Sequence, residues 1–175
     1  LQTDGGLSVV KDIVAGDDVK LLSDAAVVHF GADAEITLTH SADSGLLLKH
    51  TATADDKPIN LILQTGETDM AANDVIGKIS WQAPDEGTGT DAILVSAAIQ
   101  AIAEGDHSSS SNATSLVFMT GASEAAASKM TLTSAGHVLP ASDDAQDLGS
   151  ASLQWRNIYT AVSYTHLTLP TSHNV

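Results

Sequence analysis

Residues 16–40 read GDDVKLLSDAAVVHFGADAEITLTH, and this stretch indicates the fold class of the chain. Brief apolar runs are separated by clusters of Asp, Gly, Ser and Ala, and in the last run Ile36 and Leu38 alternate with Thr37 and Thr39. Such alternation is typical of a β-strand, because successive side chains point to opposite faces of a sheet. Asp and Gly between the runs favour turns. The stretch therefore predicts short strands joined by turns.

Similar apolar runs recur along the whole chain at intervals of roughly ten residues, which is the spacing of strands in all-β domains. They cover residues 7–14, 19–22, 26–30, 35–40, 46–51, 59–64, 75–81, 92–103, 115–120, 129–133 and 155–161. The pattern predicts an all-β fold, with an elongated series of short strands followed by a small β-sandwich-like module.

One stretch fits a helix as well as a strand. Residues 91–104 (DAILVSAAIQAIAE) are rich in alanine, and Thr90 or Asp91 would serve as an N-cap. The larger apolar side chains are spread around a helical wheel and form no single stripe, so they fit a strand equally well. Periodicity alone leaves the two interpretations open.

The charge balance restricts the classes of partner. The chain has 22 acidic residues against 7 lysines and arginines, a net charge of −15, and Arg156 is its single arginine. Nucleic-acid binding depends on clustered cations, so this composition argues against it. Of the acids 17 are Asp, a turn former, and 5 are Glu, a helix former.

Two further features exclude other classes of structure. No apolar run reaches the ~18 residues of a membrane span, and the absence of cysteine excludes disulfides and thiolate metal sites.

Composition also suggests an organisation into segments. Residues 1–72 resemble a shaft of brief strands, with a boundary near residues 69–73, and residues 73–139 form a compact β module. Within that module the Ser-rich residues 107–115 (HSSSSNATS) are expected to be an exposed loop. Residues 140–161 are polar and turn-rich, and are interpreted as a connector that ends in the motif WRNIYT.

The last residues differ in character from the rest. Residues 162–175 read VSYTHLTLPTSHNV, and they resemble the translation of a common transposase sequencing adapter, with three index-encoded residues before the final Val. The hypothesis is that the natural chain continues beyond Ala161 and that this segment is adapter read-through. It is therefore excluded from functional reasoning.

Two segments resemble modules of bacteriophage tail fibres. The first contains GKISWQAPD, TDAILVSAAIQAIAEGD, SLVFMTGAS and ASKMTLTSAGHV in that order, and the second is residues 147–160, DLGSASLQWRNIYT. Together they cover about half of the chain. The turn Ser134–Ala135–Gly136–His137 departs from the family pattern by its His, and Lys129 replaces the usual arginine pattern. The resemblance favours a strand for residues 91–104.

The resemblance implies a non-catalytic virion structural protein, a tail fibre or fibre-like component that supports host attachment, located in the phage tail and extracellular after release. It also implies a homotrimer, contacts with other virion proteins, and a host-surface receptor bound through a part outside this chain. Large side chains in a chain of small residues are candidates for packing or subunit contacts, since an aromatic buries roughly 150–250 Å². These candidates are Trp81, Phe118, Trp155, Ile158 and Tyr159.

For the candidate metal-binding and catalytic residues, a structural role explains the sequence better than a chemical one. In a trimer His29, His40 and His50 would be able to converge on a metal, but no His-x-His or His-x-x-x-His spacing supports this. The Asp pairs at 17–18, 55–56 and 143–144 suit solvated turns better than the acid and base of a glycosidase, and no EF-hand or nonapeptide calcium repeat occurs. No cofactor, metal or catalytic residue is predicted. The alternatives are a polysaccharide-degrading tailspike, or a secreted bacterial adhesin or carbohydrate-binding module.

Overall fold

The computed structural model of the chain describes residues 9–83 and 89–159, and within them it contains eight β-strands. A single 3₁₀ turn, Asp91–Ile93, is the one helical element of these residues, so the all-β prediction is confirmed. The strands are β1 (Val27–Phe30), β2 (Ile36–Ser41), β3 (Gly45–His50), β4 (Val75–Gln82), β5 (Val95–Ala103), β6 (Thr114–Thr120), β7 (Ala127–Leu132) and β8 (Val138–Pro140). They form a three-stranded sheet, β1–β2–β3, and a five-stranded sheet, β4–β5–β6–β7–β8.

The chain divides into two units, Leu1–Ile62 and Leu63–Val175. The first contains the three-stranded sheet and the second the five-stranded sheet. The domain boundaries expected from composition stay predictions. Leu63, the first residue of the second unit, packs against Gly77 of β4, where a Cβ would lie 3.1 Å from the Leu63 Cβ.

The three-stranded sheet is a meander of two antiparallel hairpins. Val28, Leu38 and Leu48 are directly opposite one another, and so are Phe30, Ile36 and His50. Directly paired residues project from the same face, so the alternation read from the sequence becomes one predominantly apolar face. The opposite face carries the row His29, Thr37 and Lys49, in which Thr37 is buried.

Gly31 makes the turn between β1 and β2 possible. Its φ is +91°, a left-handed conformation that L side chains rarely adopt, and a Cβ there would lie 2.1 Å from the Glu35 Oε2. The Glu35 carboxylate is able to rotate away from an added Cβ. The backbone conformation of Gly31 therefore accounts for most of the destabilisation that a substitution there would cause.

We expect Gly31→Ala to lower the free energy of unfolding of the first unit by about 1 kcal/mol. The control is Gly16→Ala, where the added methyl meets nothing within 4 Å. Urea unfolding followed by circular dichroism checks both variants, and equal midpoints for the two would contradict the explanation.

In the five-stranded sheet β5 lies between β4 and β6, and all neighbours are antiparallel. The stretch 91–104 is therefore mostly a strand, as the resemblance favours, and only its first residues form the 3₁₀ turn. The turn ends at Leu94, whose backbone is extended, with ψ of 157°. Its N-cap is Thr90, which makes no side-chain capping bond, so little stabilises a longer helix here.

Glu104 joins three parts of this sheet. Its Oε1 accepts hydrogen bonds from the Ser115 hydroxyl at 2.5 Å and the Ser134 N–H at 2.7 Å, and the Ser134 hydroxyl donates to Oε2. Ser134 begins the predicted turn between β7 and β8, in which Gly136 has a φ of +83°. Glu104 thus links the end of β5 to β6 and to the β7–β8 hairpin.

These hydrogen bonds give the sheet a pH dependence. The Ser115 hydroxyl, followed by the Ser134 hydroxyl and N–H, stabilises the carboxylate and lowers the pKa of Glu104 below its ordinary value. A carboxyl with a lowered folded-state pKa contributes stability above its unfolded pKa, and this contribution disappears as the pH falls through the folded value.

We therefore expect Glu104→Gln to lower the melting midpoint at pH 7, and the difference from the parent chain to shrink as the pH falls below the ordinary glutamate range. Thermal melts at several pH values measure this difference. Glu67→Gln removes the same charge from an exposed position and serves as the control. A difference that stays constant from pH 7 to pH 3 would contradict the role of the ionised carboxylate.

Several predicted strands are not strands. Within the described residues, 9–14, 19–22, 59–64 and 155–159 form no ladder, whereas β8 forms although no run of its own was predicted there. An extended segment becomes a strand when its backbone N–H and C=O groups find partners on a neighbour. The segments that are not strands find none within this part of the chain, whereas Val138–Pro140 is brought back onto β7 by the preceding turn. Leu7, Ser8, Thr160 and Ala161 lie outside the described residues.

The second unit also differs from the sandwich-like expectation. A β-sandwich needs two sheets packed face to face at a separation of roughly 10 Å. Between residues 63 and 159, in the parts that the structure describes, there is one sheet, and the first unit holds a separate one. Each sheet is therefore a single layer.

Candidate interaction surface

The five-stranded sheet has one face made of apolar and small side chains. The register places Ile79, Ile99, Phe118, Met130 and Pro140 in one continuous row across all five strands. A second row on this face consists of Gly77, Ala101, Leu116, Leu132 and Val138, and Trp81 and Ala97 extend the face at one end. We call these twelve residues the apolar face; none of them is ionisable.

The opposite face of the same sheet is mixed. Its central row runs Lys78, Gln100, Val117, Thr131 and Leu139, and further polar side chains come from the neighbouring rows. A single sheet with one apolar and one mixed face has the pattern of a layer that packs on another layer. The local sequences GKISW and KMTL carry this pattern directly, because Ile79 and Trp81 alternate with polar residues.

The apolar face is largely open. Ile79 is 46% exposed, Trp81 51%, Leu116 41% and Val138 65%, whereas the buried apolar residues of the described chain are Ala98, Ala103 and Val117. No described side chain larger than these is fully buried. Folded domains bury large apolar side chains as well as alanines, and Val117 is the one buried apolar side chain larger than alanine among the described residues. These residues therefore do not complete a core by themselves.

Two parts of the apolar face have local cover. Leu63 lies over Gly77 and borders a shallow cavity of about 150 Å³ with Ile79, Ile99 and Leu116. At the other edge, Leu148 and Gln146 of the connector approach Met130 and Val138 around a groove of about 490 Å³. The middle and the Trp81 end of the face have no such cover within the described residues.

The candidate packing residues fall into two groups. Trp81 and Phe118 lie on the apolar face, where the register brings them to the same side of the sheet. Trp155, Ile158 and Tyr159 lie in the connector, outside both sheets, and are 63%, 64% and 91% exposed. Their assignment as core or interface residues stays a prediction.

The apolar face contains residues that the sequence interpretation did not single out. They include Ile79, Leu116, Met130 and Val138, which belong to the row of Phe118 or to the row beside it and are 38–65% exposed. Alternation with polar residues signals Ile79 in β4 and Met130 in β7, whereas Leu116 and Val138 adjoin the apolar Val117 and Leu139 and carry no such signal. The missing information was the cross-strand register, which decides that the alternating residues of five strands share one face.

A turn that contains Gly149 precedes the WRNIYT motif. Gly149 has a φ of +94°, and a Cβ on it would lie 3.0 Å from the Leu153 carbonyl oxygen. The Ser150 N–H donates to that carbonyl at 2.8 Å, and the Leu153 N–H donates to the Ser150 hydroxyl at 3.0 Å. The loop orients the start of the motif without placing it in a strand.

The titratable candidates are dispersed. His40 and His50 project from one face of the first sheet and His29 from the other, and His50 Nδ1 accepts a hydrogen bond from the Ala52 N–H at 3.1 Å. The Asp pairs at 17–18, 55–56 and 143–144 are exposed, and both Asp56 and Asp144 have positive φ angles, as turn residues often do. Among the described residues, no three or more His, Cys, Asp or Glu side chains are arranged to hold a metal ion.

The described part of the chain also contains no helix with the length and hydrophobicity needed to cross a bilayer. No protein-family model matches the chain, and neither the curated proteins nor the solved structures compared with it give a match.

Proposed function

We propose that this chain is part of a bacteriophage virion structural protein, a tail fibre or fibre-like component that supports host attachment. The observation that carries the proposal is that the described residues are all-β and that the apolar face, which contains no ionisable side chain, is largely exposed. Such a layer is stable when it is assembled with others, which is the organisation of a fibre. The resemblance of GKISWQAPD, SLVFMTGAS and DLGSASLQWRNIYT to tail-fibre modules supports the same function.

In this proposal the function is mechanical and not catalytic. Antiparallel ladders join consecutive strands by backbone hydrogen bonds, and apolar packing between subunits excludes water from the faces that one chain leaves open. A homotrimer in the phage tail would present a host-binding element at a distal part of the full-length protein. The Asp residues in the described part of the chain, none of which is buried, keep its surface acidic and solvated.

The uninterrupted gene and its neighbours provide the first test. The proposal expects this reading frame to be flanked by genes for other virion proteins. The full-length product is then expressed, and its mass in solution is measured by light scattering. A trimer among virion genes agrees with the proposal, whereas a monomer encoded among host metabolic genes contradicts it.

A second measurement separates the proposal from a degrading tailspike. The full-length protein is incubated with capsular polysaccharide of the host, and chain length is followed by size-exclusion chromatography. No depolymerisation is expected. Release of oligosaccharides by the purified protein would overturn the non-catalytic assignment.

A further inference from the structure

We propose that the Glu104 carboxylate is a pH-sensitive switch that holds strand β8 in the five-stranded sheet. Ionised Glu104 keeps the β7–β8 hairpin in place. When the carboxylate takes up a proton, β8 separates from β7 while the other four strands stay paired, and β7 becomes the edge of the sheet. The inference goes beyond the proposed function, which does not depend on it.

β8 is the strand with the least support from the sheet itself. It has three residues, Val138–Pro140, all of them exposed, whereas the other strands of this sheet have six to nine. It lies at the edge, where β7 is its one neighbour, and Pro140 has no N–H to donate. A short edge strand with few backbone bonds opens at a lower free energy than the centre of a sheet does. Contacts that reach the hairpin from elsewhere therefore decide whether β8 stays paired.

Such contacts come from Glu104, which directly follows β5. Its Oε1 accepts a hydrogen bond from the Ser134 N–H at 2.7 Å, and the Ser134 hydroxyl donates to Oε2. β6 lies between β5 and the hairpin, and there the Ser115 hydroxyl donates to the same Oε1. The carboxylate thus reaches past β6 to the hairpin turn. Within the part of the chain that the structure describes, no other side-chain hydrogen bond joins this turn to a segment beyond β7 and β8.

These bonds depend on the ionised form of the carboxyl group. A carboxylate accepts with both oxygens, whereas a protonated carboxyl carries an O–H donor on one of them, and its bonds are weaker because it has no charge. The Ser115 hydroxyl, followed by the Ser134 groups, lowers the pKa of Glu104. The support for the hairpin is therefore present above the unfolded-state pKa of this carboxyl, and it is lost as the pH falls through the lowered folded-state value.

Four other titratable side chains lie on the segments next to Glu104. Asp106 and His107 follow it in the chain, His137 lies in the β7–β8 turn, and Asp74 immediately precedes β4, whereas β6 carries none. Among the described residues, none of the four hydrogen-bonds to the Glu104 carboxylate. Glu104→Gln therefore distinguishes a pH effect of Glu104 from an effect of one of these groups.

Hydrogen exchange of the 175-residue chain, followed by NMR at individual amides, measures opening of β8 separately from opening of the sheet. The reporters are the N–H groups of Thr133 and Ala141, which donate across the hairpin at 2.9 and 3.1 Å. The reference is the Ala126 N–H, which donates to a β5 carbonyl at 2.7 Å next to the other end of β7. We expect the protection factors of both reporters to fall about three- to tenfold relative to that of Ala126 as the pH is lowered from about 7 to about 3.

Ser134→Ala and Ser115→Ala form a matched pair, because each removes one hydroxyl that donates to the same carboxylate. Only Ser134 belongs to the hairpin. Near neutral pH we expect Ser134→Ala to lower the protection factors of the two reporters about three- to tenfold, and Ser115→Ala to change them by less than about twofold. In Glu104→Gln we expect the protection of the reporters to lose its pH dependence.

Several results would overturn the inference. An equal loss of protection at the reporters and at Ala126 would show that Glu104 supports the whole sheet and not β8. A pH dependence that persists in Glu104→Gln would assign the effect to another group. Equal effects of Ser134→Ala and Ser115→Ala, or reporters that keep their protection at low pH, would also contradict it. None of these results bears on the fibre proposal, which is tested by the neighbouring genes and the mass of the full-length protein.

Discussion

Val117→Asp is expected to unfold the five-stranded sheet, with a loss of roughly 3 kcal/mol or more in the free energy of unfolding. Val117 is 7% exposed in the middle of β6, and its neighbours in the row are Gln100 on β5 and Thr131 on β7. Both neighbours are uncharged, and Lys78 of the same row lies one strand further away, beyond Gln100. The new carboxylate would therefore lose its hydration without an adjacent cationic partner. This loss is large relative to the free energy of unfolding of a whole domain, which is roughly 5–15 kcal/mol.

The control for this variant is Leu139→Asp. Leu139 belongs to the same row on the same face but is 46% exposed, so its carboxylate would remain hydrated. We expect a loss of less than about 1 kcal/mol there. Chemical denaturation followed by Trp81 fluorescence and by far-ultraviolet circular dichroism measures both variants. Comparable losses for the two substitutions would show that burial at Val117 is not the cause.

The second large effect is expected at Gly121, which follows β6. A Cβ at this position would lie 2.4 Å from the Glu124 carbonyl oxygen, a backbone atom that cannot rotate away. The surrounding backbone is also fixed, because the Gly121 N–H donates to the Ser96 carbonyl at 2.8 Å and the Ala126 N–H donates to the Val95 carbonyl at 2.7 Å. Gly121→Ala must therefore distort the β6–β7 connection or break these bonds.

We expect Gly121→Ala to cost about 1–3 kcal/mol, the usual range for forcing extra atoms into a closely packed place. In a domain of this size each kcal/mol lowers the melting midpoint by roughly 4–8 °C. Gly105→Ala is the matched control, since a Cβ on Gly105 meets nothing within 4 Å. Differential scanning calorimetry of both variants checks the expectation, and an unchanged midpoint for Gly121→Ala would refute the close approach to Glu124.

The sequence interpretation succeeded where a strand pattern was joined to a strong turn signal. Residues 115–120 and 129–133 overlap β6 and β7, and the turn at Ser134–His137 connects β7 to β8. Turn preference and side-chain alternation are local properties, so they are readable without a partner strand. The Ser-rich loop after β5 is exposed from Ser108 to Asn112 for the same local reason.

The interpretation was wrong where pairing had to come from a distant segment. Residues 59–64 have the same alternation as residues 35–40, yet only the latter overlap a strand, because β1 and β3 supply ladders on both sides of β2. Residues 59–64 follow Pro58, which has no N–H to donate, and they meet no ladder partner among the described residues. A local pattern alone gives no means of telling these two stretches apart.

The sequence by itself determined the all-β class, the positions of the main turns and the division of β4 and β7 into an apolar and a polar side, since these depend on neighbours along the chain. Only the tertiary structure decided which runs become strands, where the two units divide, and that Ile79, Ile99, Phe118 and Met130 form one row. Register and pairing join residues that are far apart in sequence, and a shift by one residue would turn each apolar side chain to the other face. The exposure of that row is likewise a property of the folded sheet and not of any single strand.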